Sequence, residues 1–167
     1  MKFLNIMKIK MEKLGINNFR YRAKMAGFDY DHTLVKPKSG GTFSKGVWDW
    51  EWLSPNVPEK LKKLYHDGFA IVIFTNQRQK FKRNQIILAL SELKIPIRIY
   101  IATEKKLKKP CPVMYMDYRD GKKVNGLEGE SFYVGDALGR KDDWSDVDKL
   151  FAEKIGVKYY SPEEFFR

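Results

Sequence analysis

Cysteine is scarce in this chain, and its scarcity excludes two ways of stabilising a fold. Cys111 is the one thiol among 167 residues. A single cysteine cannot form an internal disulfide, and it cannot supply the thiolate ligands of a structural zinc site. Since 43% of the residues are hydrophobic, we expect one domain that depends on an apolar core, in a reducing compartment.

Long apolar runs are also missing, so no membrane-spanning helix is predicted. Residues 1–24 contain seven Lys or Arg, one acid and no serine. Lys8 and Lys10 interrupt the apolar core that a secretory signal needs, and the lack of serine argues against an import peptide. We expect a basic N-terminal extension over 1–24, as an arm or an extra first helix. A single domain over 25–167 follows, in an intracellular protein, nuclear or cytoplasmic.

Acidic residues are outnumbered: 32 Lys and Arg stand against 21 Asp and Glu, which gives a net charge of +11. Such an excess can serve solubility alone. It can also serve a polyanionic partner, because lysines near phosphates release condensed counterions and gain affinity. Composition leaves both explanations open and makes nucleic acid a candidate partner.

Hydrophobic periodicity predicts alternating strands and helices. Short apolar runs predict strands at 25–30, 69–74, 97–102, 131–134 and 157–160. Helical spacing predicts helices at 58–67, 82–93 and 147–155. Ser161, Pro162 and Glu164 predict a capped final turn. The alternation predicts an α/β fold, with a parallel sheet covered by helices on both faces.

Polar residues follow these strands, at the edge where parallel sheets bind ligands. They are Asp29, Asp31, Thr75, Asn76, Thr103, Gly135 and Asp136. At a strand end that turns, Asp29 and Asp31 can reach one small site. Two nearby carboxylates repel, and a divalent cation relieves that repulsion. Mg²⁺ takes oxygen ligands and keeps positions open for a phosphate, so one carboxylate can attack phosphorus while the other transfers a proton.

Phosphoryl transfer also needs donors and cations around the equatorial oxygens. Thr75 offers a hydroxyl, Asn76 an amide and Lys109 a positive charge. Asp136 offers a further metal ligand. Each of these segments alone is typical of a turn or a solvated basic run, but their combination behind buried strands predicts a magnesium-dependent phosphatase with an aspartyl nucleophile.

Two stretches interrupt the alternation. Residues 35–53 form a long insert with a Gly40-Gly41 turn and three tryptophans, which predicts a hairpin flap over the site. Residues 118–130 are rich in glycine and charge, which predicts a surface loop.

Four segments together resemble the motifs of the haloacid dehalogenase superfamily of phosphohydrolases: 29–34, 74–77, Lys109-Pro110 and 134–136. More narrowly, the chain from Met25 to Arg167 is similar to the 3′-phosphatase domain of the polynucleotide kinase 3′-phosphatases, which heal DNA ends. The additional segments that carry this similarity are 26–29, 39–43, 50–64, 72–77, 134–140, 143–151 and 161–166.

The resemblance implies a Rossmann-like, haloacid dehalogenase-like fold with a short flap insert and no large cap domain. It implies that Asp29 forms an aspartyl-phosphate and that Asp31 is the general acid and base. The other implied roles are Mg²⁺ binding by Asp29, the backbone carbonyl of Asp31, and Asp136; phosphate binding by Thr75, Asn76 and Lys109; substrate contact by Ser39, Phe43 and Gln77; and support of the metal site by Asp143. Phe43 matches an aromatic that stacks on the terminal base, and its alternative is a place in the core of the flap.

The implied activity is hydrolysis of 3′-phosphate ends of DNA in end repair. The implied partners are nucleic-acid 3′-ends, as single-stranded DNA or broken-duplex termini, with no membrane and with the protein as a monomer. Three features depart from the family pattern. His32 replaces the usual glycine, Lys108 replaces an arginine that would form a bidentate fork, and residues 78–83 lack a glycine-rich stretch. No Gly-x-x-x-x-Gly-Lys loop occurs, so we expect a phosphatase without a kinase half.

Two alternatives stay open. One is a small-molecule phosphatase of the same superfamily, acting on histidinol phosphate or a sugar phosphate. The single cysteine counts against it, because many such relatives carry a cysteine-rich zinc loop, and so does the basic charge. The other is a nucleic-acid-end binding module that has lost catalysis, for which His32 is the one reason.

Overall fold

The computed structural model describes residues 11–122 and 130–167. The strands are β1 (Met11–Ile16), β2 (Lys24–Phe28), β3 (Val35–Lys36), β4 (Glu51–Trp52), β5 (Phe69–Asn76), β6 (Ile97–Ala102), β7 (Phe132–Val134) and β8 (Lys158–Tyr160). The helices are α1 (Asn56–His66), α2 (Phe81–Ser91), α3 (Val113–Lys122), α4 (Val147–Ile155) and α5 (Pro162–Phe165), with a 3₁₀ turn at Lys105–Leu107.

Six strands form one sheet in the order β1-β6-β5-β2-β7-β8. All neighbours in it are parallel except β1 and β6. The chain moves outward from β2 to β5 and β6, then returns to β7 on the other side of β2. Ligands bind at the carboxyl ends of strands where the order reverses in this way. The predicted α/β fold with a mostly parallel sheet is confirmed, and the site is expected at the ends of β2, β5 and β7.

The sheet separates two hydrophobic cores. Helices α1 and α2 pack on one face, where Ile71 and Ile73 of β5 are buried. Helices α3 and α4 pack on the other face, where Val72 and Phe74 of β5 are buried. Because both faces of β5 are covered, its sequence is apolar at successive positions instead of alternating.

Strand β1 corrects the expectation of an arm or helix before residue 25. Met11–Ile16 pairs antiparallel with β6, from Met11 opposite Ala102 to Ile16 opposite Ile97. Leu14 and Ile16 pack against one core and Met11 is buried in the other, while the charged residues Glu12 and Lys13 are exposed, as is typical of an edge strand. Residues 1–10 lie outside the described part of the chain. The division at residue 24 stays a prediction.

Helix α3 corrects the predicted surface loop over 118–130. Residues 118–122 belong to the helix, and Tyr118 is fully buried in the second core. Gly121 fits there because a Cβ atom at this position would lie 2.3 Å from the Tyr21 hydroxyl oxygen. Residues 123–129, the rest of the predicted loop, lie outside the described part of the chain.

The insert after β2 forms the predicted hairpin. Strands β3 and β4 pair antiparallel at its base, with Val35 opposite Trp52. Its loop is organised by Asp49, whose carboxylate accepts hydrogen bonds from the Ser39 N–H and hydroxyl and from the Lys45 N–H, at 2.8 Å each. We call residues 37–50 the flap.

The last turn of the chain has the predicted cap. The Glu164 N–H donates to the Ser161 hydroxyl at 3.2 Å, and the Ser161 N–H donates to the Glu164 carboxylate at 3.4 Å. Within 11–122 and 130–167, no helix combines the length and the apolar character that crossing a membrane requires.

Candidate active site

Three carboxylates meet at the carboxyl ends of the central strands. Asp29 follows β2, Asp136 follows β7, and Asp148 belongs to the first turn of α4. Each offers an oxygen, and these oxygens lie within 4.8 Å of one another. The Asp29 N–H donates to the Val134 carbonyl at 2.9 Å, which joins the ends of β2 and β7. Parallel pairing of the two strands therefore brings residues 29 and 136 together, although they are distant in the sequence.

Lys109 is buried among these carboxylates. Its Nζ lies 3.0 Å from Asp29 Oδ1, 2.8 Å from Asp148 Oδ1 and 2.8 Å from the Tyr133 hydroxyl oxygen. Burial alone would lower the pKa of Lys109, but the charges of Asp148 and then Asp29 outweigh it and raise the pKa above its ordinary value. Lys109 is therefore held as an ammonium beside the predicted nucleophile.

Asp148 is a site residue that sequence reasoning missed. It is 1% exposed. Its Oδ1 accepts from Lys109 and from the Tyr133 hydroxyl at 2.7 Å, and its Oδ2 accepts from the Ala137 N–H at 3.1 Å. The available signal was its spacing, because residue 148 shares the buried face of α4 with Phe151 and Ala152. An acid on the apolar face of a helix needs a partner.

Gly135 makes room for Asp148. A Cβ atom at position 135 would lie 2.4 Å from Asp148 Cγ, closer than any non-bonded contact allows. The Gly135-Asp136 pair thus contributes to the site in two ways. Asp136 supplies a carboxylate, and the lack of a side chain at Gly135 leaves space for the carboxylate of Asp148.

The carboxylates carry more negative charge than their surroundings neutralise. Burial raises the pKa of Asp29 well above its ordinary value, and Asp148, Asp136 and Asp31 raise it further, while Lys109 opposes them. Burial and the charge of Asp148 likewise raise the pKa of Asp136. A divalent cation would relieve this repulsion.

This donor set fits Mg²⁺, which prefers hard oxygen ligands. The two oxygens of Asp148 already accept three hydrogen bonds. Asp29 makes two such contacts, both at Oδ1, with the Tyr30 N–H at 2.7 Å and Lys109 at 3.0 Å, so its Oδ2 keeps ligand capacity, as Asp136 does. Thr33, fully buried, donates to Asp136 Oδ1 at 3.4 Å and helps to orient it.

Asp31 stands apart from that three-carboxylate group. Its Oδ2 accepts from the Gln77 amide at 2.7 Å, and its Oδ1 is paired with Lys82. Its predicted metal contact runs through the backbone carbonyl and stays a prediction. The carboxylate is 37% exposed, so it can reach a substrate while both of its oxygens are held.

The residues at the carboxyl end of β5 support their neighbours. Gln77 donates to the buried Thr75 hydroxyl at 2.8 Å as well as to Asp31. Asn76 exchanges two hydrogen bonds with the main chain of Lys109: the Lys109 N–H donates at 2.8 Å, and the Asn76 amide donates to the Lys109 carbonyl at 3.2 Å. Asn76 thus anchors Lys109. Phosphate contact by Thr75 and Asn76 and substrate contact by Gln77 stay predictions.

His32 links the loop of the predicted nucleophile to the flap. Its φ angle is +57°, in the left-handed region that favours glycine, so the residue that the family usually has here suits the turn. Its Nε2 lies 2.8 Å from the Thr42 carbonyl oxygen. The substitution keeps the turn and adds a tether to the flap.

The flap contains two of the predicted substrate residues: Phe43 is exposed, whereas Ser39 forms hydrogen bonds within the flap. Phe43 is 79% exposed, so a core position in the flap is wrong for it. The N–H and hydroxyl of Ser39 both donate to Asp49, which makes Ser39 part of the flap's own structure.

Asp143 lies in the loop after β7. It accepts from the Leu138 and Arg140 N–H groups at 3.0 and 3.1 Å and pairs with the Arg140 side chain at 2.8 Å. Arg140 in turn donates to the Asp136 carbonyl at 3.1 Å. Asp143 is therefore connected to Asp136, a candidate metal ligand, through the side chain of Arg140.

Comparison with known proteins identifies the family of the chain. Residues 24–166 match the family model described as polynucleotide kinase 3 phosphatase. A bifunctional polynucleotide phosphatase/kinase of Schizosaccharomyces pombe is 42% identical over 86% of this chain, and the match covers 37% of that protein. The polynucleotide 3′-phosphatase ZDP of Arabidopsis thaliana is 33% identical over 86% of this chain and is covered over 24% of its length. The chain thus spans less than two fifths of the length of either relative.

A solved structure shares the fold. The D,D-heptose 1.7-bisphosphate phosphatase from B. bronchiseptica, complexed with magnesium and phosphate, superposes with a TM-score of 0.59. The match covers 81% of this chain and 78% of that one at 19% identity. The resemblance drawn from the motifs is confirmed: the chain belongs to the polynucleotide kinase 3 phosphatase family.

Proposed function

We propose that this protein is a magnesium-dependent polynucleotide 3′-phosphatase that removes 3′-phosphates from DNA ends during end repair. The observation that carries the proposal is the cluster at the carboxyl ends of β2 and β7. There, oxygens of Asp29 and Asp136 lie within 4.8 Å of each other, beside the buried ammonium of Lys109. Such a cluster suits a hard cation and a phosphoryl group together.

Asp29 is the proposed nucleophile. An oxygen of its carboxylate bonds to phosphorus while the bond from phosphorus to the 3′-oxygen breaks, and Asp31 gives that oxygen a proton. Water then attacks phosphorus, Asp31 accepts the proton of the water, and the bond to Asp29 breaks. Asp29, the backbone carbonyl of Asp31, and Asp136 would hold Mg²⁺, which when bound offsets negative charge on the phosphoryl oxygens and keeps Asp29 ionised.

Lys109 and Thr75 are the proposed phosphate ligands. Both are buried, and Lys109 lies 3.0 Å from Asp29, where a charge–charge interaction is stronger than in water. Asn76 holds Lys109 by its main chain, and Asp148 and Tyr133 hold its ammonium. The cation is therefore in place before the substrate arrives, which is how preorganised sites stabilise a transition state.

The flap and the net charge support a polymer substrate over a small metabolite. Phe43 presents a bare aromatic ring on a flap that His32 ties to the nucleophile loop. Stacking of a base on such a ring contributes about 1–3 kcal/mol and tolerates any sequence. The charge of +11 favours association with a phosphate backbone.

The test is phosphate release from a short single-stranded oligonucleotide with a 3′-phosphate. Parallel reactions contain a 5′-phosphate oligonucleotide or histidinol phosphate, with Mg²⁺ or with EDTA. The variant is Asp29→Asn, and its matched control is Asp67→Asn, an exposed acid at the opposite end of the sheet. We expect release from the 3′-end alone, lost with EDTA and with Asp29→Asn but kept with Asp67→Asn. Activity confined to histidinol phosphate would refute the polynucleotide substrate, and DNA binding without hydrolysis would indicate the binding module.

A further inference from the structure

Lys82 is a buried cation that the roles above do not use. It lies in the first turn of α2 and is 3% exposed. Its Nζ is 2.5 Å from Asp31 Oδ1 and 2.9 Å from Gln85 Oε1. It also lies 4.9 Å from the centre of the Tyr30 ring. In the sequence it is one of several basic residues between 78 and 83, where a solvated run is the ordinary expectation.

Without a partner, an ammonium at the position of Lys82 would destabilise the fold. Burying an ammonium costs free energy unless it is paired. The first turn of a helix also favours negative charge over positive charge, because the free N–H groups carry partial positive charge there. The first turn of α2 contains no acid that could offset it. The carboxylate that compensates Lys82 is Asp31, the proposed general acid and base.

Lys82 and Gln77 together hold both oxygens of Asp31. Lys82 pairs with Oδ1, and the Gln77 amide donates to Oδ2 at 2.7 Å. One donor on each oxygen fixes the plane of a carboxylate. Without them, a side chain that is 37% exposed would be free to take other rotamers.

Gln85 holds Lys82 in turn. It lies one helical turn after Lys82, so both side chains share a face of α2. Its Oε1 accepts from Lys82 and from the Tyr30 hydroxyl at 3.2 Å. Its amide donates to the Ser44 hydroxyl at 2.8 Å and to the Gly46 carbonyl at 2.9 Å. A buried network therefore runs from the flap through Gln85 and Lys82 to Asp31.

We propose that Lys82 is a positioning residue for Asp31, which it holds in the orientation that delivers a proton to the leaving oxygen. This inference rests on the proposed role of Asp31 in the phosphatase reaction. It predicts a dependence on the leaving group. The 3′-oxygen of a nucleotide is a poor leaving group and needs the proton, whereas p-nitrophenolate leaves without one. The ratio kcat/KM reports steps up to phosphoryl transfer, so it separates the two cases.

The experiment compares Lys82→Met with wild type on a 3′-phosphate oligonucleotide and on p-nitrophenyl phosphate. General acid catalysis contributes about 10²–10⁴-fold, so we expect kcat/KM for the oligonucleotide to fall by about 10- to 100-fold. For p-nitrophenyl phosphate it should stay within about threefold of wild type. The double variant Lys82→Met with Asp31→Asn should be no slower than Asp31→Asn alone, because two residues that act through one group are not additive.

Two further variants serve as a control and as an alternative to Lys82→Met. Arg83→Met is the matched control: Arg83 is the next residue of α2, and it pairs at 2.8 Å with Glu12 in an exposed bridge away from the flap network. It should leave both substrates unaffected. Lys82→Gln keeps a donor in the buried space but ends one bond short of Asp31, so it should repeat the selective loss if Lys82→Met does not fold.

Equal losses on both substrates, no loss on either, or additivity with Asp31→Asn would each overturn the role of Lys82. Failure of the proposed function would give a different result: the wild-type protein would not release phosphate from the oligonucleotide but would hydrolyse a sugar phosphate. The ratio between that alkyl phosphate and p-nitrophenyl phosphate would then still decide the role of Lys82.

Discussion

Replacing Gly135 by alanine perturbs the site through packing alone, since no functional group is removed. The added Cβ atom would lie 2.4 Å from Asp148 Cγ and 2.6 Å from its Cβ and Oδ2. Asp148 cannot absorb this as a flexible surface residue could. It is buried, and it is held by Lys109, Tyr133 and the Ala137 N–H. Either α4 moves away from β7, or Asp148 leaves its partners.

The destabilisation by Gly135→Ala can be worked out from these two responses, overpacking between α4 and β7 or loss of the contacts of Asp148. Adding one carbon to a close-packed interior costs about 1–3 kcal/mol. Breaking a buried ion pair costs about 3–5 kcal/mol when the other charge is left alone, but Lys109 keeps Asp29 as a second partner. We therefore expect about 3 kcal/mol of destabilisation. For a domain of this size, about 2–4 °C per kcal/mol gives a fall in Tm of roughly 6–12 °C.

Thermal unfolding and phosphate release measure the two consequences. At a temperature where the Gly135→Ala variant is still folded, we expect kcat to fall by roughly 100-fold, because a displaced Asp148 no longer holds Lys109 against the phosphoryl group. The matched control is Gly15→Ala in β1, where the nearest atom would lie 3.5 Å from the new carbon. A Gly135→Ala protein with the Tm and the activity of the control would refute the placement of Asp148 against Lys109.

Three further predictions concern the flap and the charges of the site. Phe43→Ala should weaken oligonucleotide binding by about 1–3 kcal/mol, roughly 5- to 150-fold in KM, and leave p-nitrophenyl phosphate hydrolysis unchanged; Leu88→Ala, another exposed apolar residue, is the control. His32→Gly keeps a residue that tolerates the φ of +57° but removes the bond to Thr42, so KM for the oligonucleotide should rise while Tm changes little; an unchanged KM would separate the tether from substrate binding. The raised pKa of Asp29 means that the native state holds its proton to higher pH than the unfolded chain does, so this group reduces the stability of the metal-free protein as pH rises through its folded pKa. Mg²⁺ should therefore raise Tm more at pH 7.5 than at pH 5.5, and a thermal-shift titration that finds the reverse order would contradict the metal assignment.

The central strands and their polar ends could be predicted because they depend on local pattern. β5 and β6 are buried on both faces, and continuous apolar runs record that directly. Parallel pairing then places the residues that follow β2, β5 and β7 at one edge. Strand β1 was not predicted because its sequence, MEKLGI, has the charged residues Glu12 and Lys13 between Met11 and Leu14, so neither an apolar run nor a regular alternation marks it.

Asp148 and Lys82 could not be placed from the sequence, for a different reason. Each has its functional partner in another element: Asp148 contacts Lys109, 39 residues away, and Lys82 contacts Asp31, 51 residues away. A basic run around 82 is typical of a solvated surface, and an acid is common in the first turn of a helix such as α4. Spacing with Phe151 and Ala152 could have indicated that Asp148 is buried, but the partners of Asp148 and Lys82 are set by tertiary packing, which no window of sequence contains.

The chain as a whole is positively charged, whereas the buried site carries an excess of negative charge. The chain carries a net charge of +11, yet burial and neighbouring carboxylates still raise the pKa of Asp29. Surface lysines cannot relieve it, because solvent and salt screen exposed charges beyond about 8–10 Å. Inside the site, the ammonium of Lys109 pairs with two of the three clustered carboxylates, Asp29 and Asp148, so a net charge of −2 remains when all four groups are ionised. A dianionic phosphate would add to that excess, and the basic surface that attracts a polynucleotide cannot offset it. A divalent cation would offset those two charges, so the proposed dependence on Mg²⁺ rests on the burial of these carboxylates and not on the composition of the chain.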